Sequence, residues 1–273
     1  MIWKDKVISW KDPSSWVPLL SRWLRPFLNK RGISHLRKMG EQDICFDDES
    51  AWLEIAQTAL AEDVDAVIQL LHDALGHSRL RTYHACRVKD ASVYHDQGIR
   101  RNDPRALAEL ARSIIMEEEA LAWMRPTIDE KIKNFDATER DTGKLYVVLD
   151  DRFLIKHAGH YLIYGSEWIQ GFLGWSAHDV LRKRGVPTII LIDLPLVCAS
   201  SKERLAQVFM REWTRVIVNK PDWVPEIDFS FCLWKDVPKE WVVGHYHPAA
   251  VPDCFYERVE RRTEITFCPC CKN

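Results

Sequence analysis

Apolar side chains recur along the first third of the chain at the spacing of a helix. Trp16, Leu19, Leu20, Trp23 and Leu24 share one stripe behind Ser14 or Ser15 as a cap, and predict an amphipathic helix over residues 14–25. Pro18 suits a first turn, which has no use for its missing N–H, and Pro26 ends or kinks the helix. Leu53, Ala56, Leu60, Val64, Val67, Leu71 and Leu75 repeat at helical steps behind the capping cluster Asp47-Asp48-Glu49-Ser50. Asp63 is a restart signal there and Gly76 a C-cap. The spacing changes after residue 78. Runs at 80–88, 145–150 and 186–196 predict strands, as do 227–234 and 241–248, joined by a short loop, and 262–267. Residues 104–124, 157–173 and 200–218 predict helices, the last opened by Ser200 or Ser201. This order predicts an α+β fold with a helical N-terminal region, residues 1–78, and one mixed domain, residues 79–273.

Composition narrows the class. A chain of 273 residues with 47% hydrophobic and 29% charged residues matches a globular protein. Its twelve Trp residues mean rich packing or a partner surface before they mean twelve functional rings. The net charge of −2 hides an asymmetry. Residues 1–40 hold nine Lys or Arg against Asp5 and Asp12, a local +7 that leaves −9 for the rest. A basic arm on an acidic body points to nucleic acid, an acidic partner, or docking on its own acidic domain. No apolar run approaches the ~20 residues that cross a bilayer, so no membrane partner is expected. The charged N-terminus does not read as a secretory signal. The expected location is therefore cytoplasmic, with the eight cysteines as reduced thiols.

Four segments carry candidate chemistry. RTYHACR ends a strand with His84, followed by small Ala85 and Cys86 and by Arg87, a pattern that lets a ligand lie against backbone. LYVVLD carries Tyr146, and HYLIYGSE follows with Tyr161 and Tyr164. PEIDFSF opens on Glu226 before a strand pair. Their order over roughly residues 79–250 resembles the ADP-ribosyltransferase fold of the His-Tyr-Glu type, a split mixed β-sheet, although Ala85-Cys86 stands where that family has Gly-Thr or Gly-Ser. The resemblance implies NAD as substrate. His84 would hold the ribose on the nicotinamide side, with Ala85, Cys86 and Arg87 around it. Tyr146 and Tyr161, or else Tyr164, would stack on nicotinamide. Glu226 would hold a ribose hydroxyl, with Asp228 and Glu240 as the other acidic candidates. It implies a toxin or phage-defence effector, with a possible antitoxin partner, that transfers ADP-ribose to RNA, DNA or protein. A NAD glycohydrolase is the alternative. Cleavage of the glycosidic bond passes through an oxocarbenium-like species that a carboxylate stabilises and aromatic faces accompany.

A second cluster is GHYHP with the tail FCPCC. Cys268 and Cys271 have the spacing of half a zinc site. No second CxxC is present, so the other half would come from Cys254, from His245 and His247, or from another chain. Reduced surface thiols without metal are the expectation, and a non-enzymatic zinc-stapled interaction module the alternative. No phosphate-binding loop of the G-x-x-x-x-G-K or G-x-G-x-x-G type occurs, and Gly174-Trp175-Ser176 does not form a nucleophile elbow. The run Glu117-Glu118-Glu119 reads as a solvated helix face.

Overall fold

The computed structural model describes residues 2–38, 51–136, 142–199, 204–218, 226–263, 268 and 271. In chain order the elements are β1 (Val7–Ile8), α1 (Pro13–Leu24), α2 (Gly32–Lys38), α3 (Ala51–Ala59), α4 (Val64–Leu75), β2 (Arg79–Val88), α5 (Ser92–Gln97), α6 (Pro104–Glu117) and α7 (Ile128–Asp136). Then follow β3 (Leu145–Val148), α8 (Asp151–His157), α9 (His160–Tyr164), α10 (Glu167–Leu173), α11 (His178–Leu181) and β4 (Val186–Pro195). The remainder is α12 (Leu205–Val218), β5 (Ser230–Leu233), β6 (Val242–Tyr246), β7 (Ala250–Pro252) and β8 (Glu260–Arg262). The architecture is α+β. The chain forms two compact units, Met1–Arg81 with Leu194–Ile227, and Thr82–Asp193 with Asp228–Asn273. No helix among the described residues is long and apolar enough to cross a membrane.

The first unit is helical. Asp12, not a serine, caps α1, its Oδ1 accepting the Ser14 N–H at 3.0 Å. Pro18 therefore lies inside the helix beyond the first turn. Trp16, Leu20 and Leu24 form its buried stripe, and Trp10 stacks on Trp16 at 5.4 Å, with Phe209 of α12 edge-on to both. Asp63 caps α4 by accepting from the N–H groups of Asp65 and Ala66. Gly76 follows α4 in the right-handed region, without the left-handed turn expected of a glycine cap. The sequence reading ends the helical region at residue 78. The structure adds α12, which packs on α1, α2, α3 and α4. The capping cluster at 47–50 and Ser200 and Ser201 lie outside the described residues.

The main sheet has the strand order β5-β3-β2-β4-β6, with β1 parallel to the start of β2. β2–β3, β3–β5 and β4–β6 are antiparallel. Thr82 Oγ1 donates to the Ile192 carbonyl, and Cys86 Sγ to that of Thr188, so β2 and β4 also run in opposite directions. Although β5 and β6 are successive in the chain, they occupy opposite ends of the sheet. The expected helix over 157–173 is divided into α8, α9 and α10. The expected strand through Asp150 stops at Val148, because Asp150 turns its carboxylate back to cap α8 and to pair with Arg152. Among the described residues the last strand is Glu260–Arg262, paired with β7. Residues 264–267 are outside the described set.

One face of the sheet carries the core of the second unit. Tyr83 and Ala85 of β2 and Ile189 of β4 pack with apolar residues of α6, α9, α10 and α11. The other face receives α5. That helix ends at Gly98, with φ of 75° and the Val237 carbonyl well inside contact distance of where a Cβ would stand. Ile99 and Val237 exchange backbone hydrogen bonds at 2.9 and 2.8 Å just beyond it. A side chain at Gly98 would meet both the backbone penalty and the carbonyl. Gly98→Ala is therefore expected to lower stability by at least about 1–3 kcal/mol in urea unfolding. Gly76→Ala, in a right-handed conformation with its nearest neighbour 3.2 Å away, is expected to stay within about 1 kcal/mol of the parent.

Candidate functional site

Strand alternation decides which side chains of RTYHACR can meet. Tyr83 and Ala85 point into the core, and Arg87 follows on that side, donating to the carbonyls of Leu162 and Arg182. Burial, then the nearby Arg182 charge, lowers the Arg87 pKa to about 10. Thr82, His84 and Cys86 point the other way. The four residues 84–87 expected to form one binding edge are thus split between two faces.

The tyrosines fall on the core side. Val148 stands opposite Tyr83 and packs against the core, so alternation gives Tyr146 that same side, where it is 43% exposed. Tyr161 packs against the core and donates to Glu167 Oε2 at 2.8 Å. Tyr164 is 2% exposed and donates to Asp253 Oδ2 at 2.5 Å. Both phenols are committed to carboxylates on the face opposite His84. Neither Tyr161 nor Tyr164 can stack on a nicotinamide held beside that imidazole through the same side of the sheet. Glu226 is exposed and falls in the helical unit, whereas His84 belongs to the other. Asp228 and Glu240 share the unit of His84.

His84 is held from one ring nitrogen. Its Nδ1 lies 3.0 Å from the Tyr146 carbonyl oxygen, which only accepts, so Nδ1 carries the hydrogen and the lone pair sits on Nε2. Burial pushes the imidazole below its ordinary range, partly offset by the bond to Tyr146. Two residues along, Cys86 bonds to the side chain of Tyr94 in α5. Burial, against that bond, pushes the thiol up to about 12. Cys86 is consequently a neutral thiol with no tendency to act as a nucleophile. Tyr94 is itself raised, first by burial and then by Cys86. The short turn Lys239–Trp241, which contains Glu240, packs against α5.

Further along the same face stand imidazoles and thiols. His245 pairs with Ile190 and shares its side, away from Tyr246 and the core. His95 Nε2 lies 2.9 Å from His245 Nδ1. His247 Nδ1 is 2.9 Å from the Pro187 carbonyl and 3.2 Å from Thr188 Oγ1. One ligand atom from each of His245, His247, Cys268 and Cys271 lies within 4.8 Å of the others. Of the candidates for the other half of the CxxC motif, His245 and His247 are thus the ones that stand beside Cys268 and Cys271. Cys254 is elsewhere, 3.7 Å from His160 Nδ1.

The core side has its own polar group, which sequence reasoning missed. Asp253 is fully buried and accepts from Tyr164, from Arg261 Nε at 3.0 Å and from the Phe255 N–H at 3.1 Å. His178 stacks on Tyr164 at 4.1 Å and accompanies Trp175, Phe255 and Tyr256. No spacing motif announces Asp253, since its donors come from three separate segments. The helical unit holds a cleft of about 580 Å³ lined by Trp3, Trp23, Phe27, Arg22, Asp73 and His77, none of them an expected site residue. No family model, curated protein or solved structure matches the chain.

Three histidines outside the thiol cluster are lowered chiefly by burial: His84, His160 and His178. Each favours the neutral form when folded, so the unfolded chain binds more protons below its own pKa, about 6.5. Their contribution is complete above that value and is lost as pH falls through it toward the lowered native values. Chemical denaturation midpoints are expected to fall between about pH 7 and 5, and less steeply in His84→Gln.

Proposed function

We propose that the protein consumes NAD, breaking the bond between ribose and nicotinamide and passing ADP-ribose to a macromolecule. The observation that carries the reading is His84. It stands on the central strand β2 beside β3, with Nδ1 engaged by Tyr146 and a neutral ring whose Nε2 can accept a ribose hydroxyl. A neutral imidazole binds a sugar hydroxyl without repelling the positive charge that develops at the anomeric carbon.

The two-faced sheet changes the remaining assignments. Tyr94 is the phenol on the side of His84, through its bond to Cys86, and takes the place expected of Tyr161. Among the three acidic candidates Glu240 is favoured, because its turn packs on the helix that bears Tyr94. The chemistry balances simply. The C–N bond breaks with its electron pair leaving on neutral nicotinamide. The acceptor nucleophile then forms the new bond to the anomeric carbon and loses a proton. The basic first forty residues favour an RNA or DNA acceptor over protein. A NAD glycohydrolase would use the same groups with water as acceptor.

Labelled NAD incubated with the full chain and cell extract, followed by separation of protein from nucleic acid, tests this. Nicotinamide release with label on nucleic acid is expected. Free ADP-ribose would mean that water is the acceptor. His84→Ala is expected to slow release about tenfold, one hydrogen bond's worth, and Glu240→Gln about 10²-fold or more, with Tyr161→Phe within about twofold. A loss in Glu226→Gln with Glu240→Gln active would return the carboxylate to Glu226. No release by the parent chain, or equal release by all variants, contradicts the proposal.

A further inference from the structure

The geometry points to a tetrahedral zinc site made by His245, His247, Cys268 and Cys271. Cys268 Sγ and Cys271 Sγ lie 3.4 and 3.2 Å from His245 Nε2, and all four ligand atoms lie within 4.8 Å of one another. Ligands about 2.0–2.3 Å from a tetrahedral zinc stand roughly 3.3–3.8 Å apart, and the two sulfurs already have nearly that spacing from His245 Nε2.

Two further observations point to a ligand. The first is His247, whose Nε2 is buried with no hydrogen-bond partner. Its Nδ1 hydrogen is drawn to the Pro187 carbonyl, which leaves the lone pair on Nε2. A buried polar atom without a partner is costly, and a metal bond removes that cost. The second is the outer support of His245, whose Nδ1 meets His95 Nε2 at 2.9 Å and leaves its own Nε2 toward both sulfurs. Metal-bound histidines are held through the second ring nitrogen in this way. The backbone also agrees: the Cys271 N–H donates to the Cys268 carbonyl at 3.0 Å, which holds the two cysteines together, and His245 and His247 are two positions apart in an extended segment.

The charges balance as well. Both thiols lose a proton on binding, and two thiolates with two neutral imidazoles neutralise one divalent cation. Four protein ligands leave no open position, so the ion is a staple and not a Lewis acid. It ties the C-terminal segment to β6 at the end of the sheet. The mixed sulfur and nitrogen set in tetrahedral array selects zinc over magnesium or calcium, which take oxygen ligands.

The full chain, purified under reductant and equilibrated with zinc before dialysis, tests the assignment by elemental analysis. About one zinc per chain is expected, with Cys271→Ser and His247→Ala retaining less than half of that and Cys270→Ser retaining it. Cobalt in place of zinc is expected to give the intense visible spectrum of a tetrahedral site with thiolate charge transfer, and Cys271→Ser to lose part of that band. Equal zinc in the parent chain and Cys271→Ser, a weak octahedral cobalt spectrum, or a Cys268–Cys271 disulfide that persists under reductant would each overturn the site. These readouts involve no NAD, so their failure is separate from failure of the proposed reaction.

Discussion

The candidate site depends on a constraint on one strand: successive side chains of β2 leave on opposite faces of the sheet. RTYHACR looks like a single recognition edge when read as a string. Folded, it is divided, with Tyr83, Ala85 and Arg87 on the side of a packed core and Thr82, His84 and Cys86 on the other, where Cys86 meets Tyr94 of α5. A shift of one residue in pairing would exchange the two sets, and the burial of Tyr83 and Ala85 makes that shift expensive.

The two faces therefore have different characters. On the core side, polar groups serve structure. Asp253 is satisfied by three donors, Asp151 accepts from Tyr246, and Arg87 rests on backbone carbonyls. On the other side, imidazoles and thiols stand in sequence from His84 through Cys86 to the His245–Cys271 group. A neutral imidazole suits a sugar hydroxyl, and paired imidazoles and thiolates suit a soft cation. The same sheet face thus suits two chemistries at different positions along its width.

Much of the fold was legible from periodicity. The stripe of Trp16, Leu20 and Leu24, the restart at Asp63 and the buried run of β4 each reflect local burial, and local burial leaves a local pattern. What depends on distant partners was not legible. β5 and β6 read as a pair because they are close in sequence, yet each finds an older strand to join, β3 and β4. The association of α12 with the N-terminal helices has no signature in its own residues. The same applies to the candidate sites. His84 could be singled out from its strand, but the side taken by each tyrosine depended on a register that only the β2–β3 pairing fixes. The CxxC motif was visible with Cys254, the His245–His247 pair or another chain as its possible complement, and only the fold brings His245 rather than Cys254 beside it. Asp253 gave no sign at all, because its donors Tyr164 and Arg261 come from elements distant or unpatterned in the sequence.

Which face of the sheet would receive NAD is open to direct observation by histidine-selective NMR of the full chain titrated with the nucleotide. With NAD held beside His84, the His84 resonances are expected to shift with the nucleotide while those of His178, on the core side beside Tyr164, remain in place. Movement of His178 with His84 unchanged would contradict it and return the tyrosines of α9 to the centre of the site.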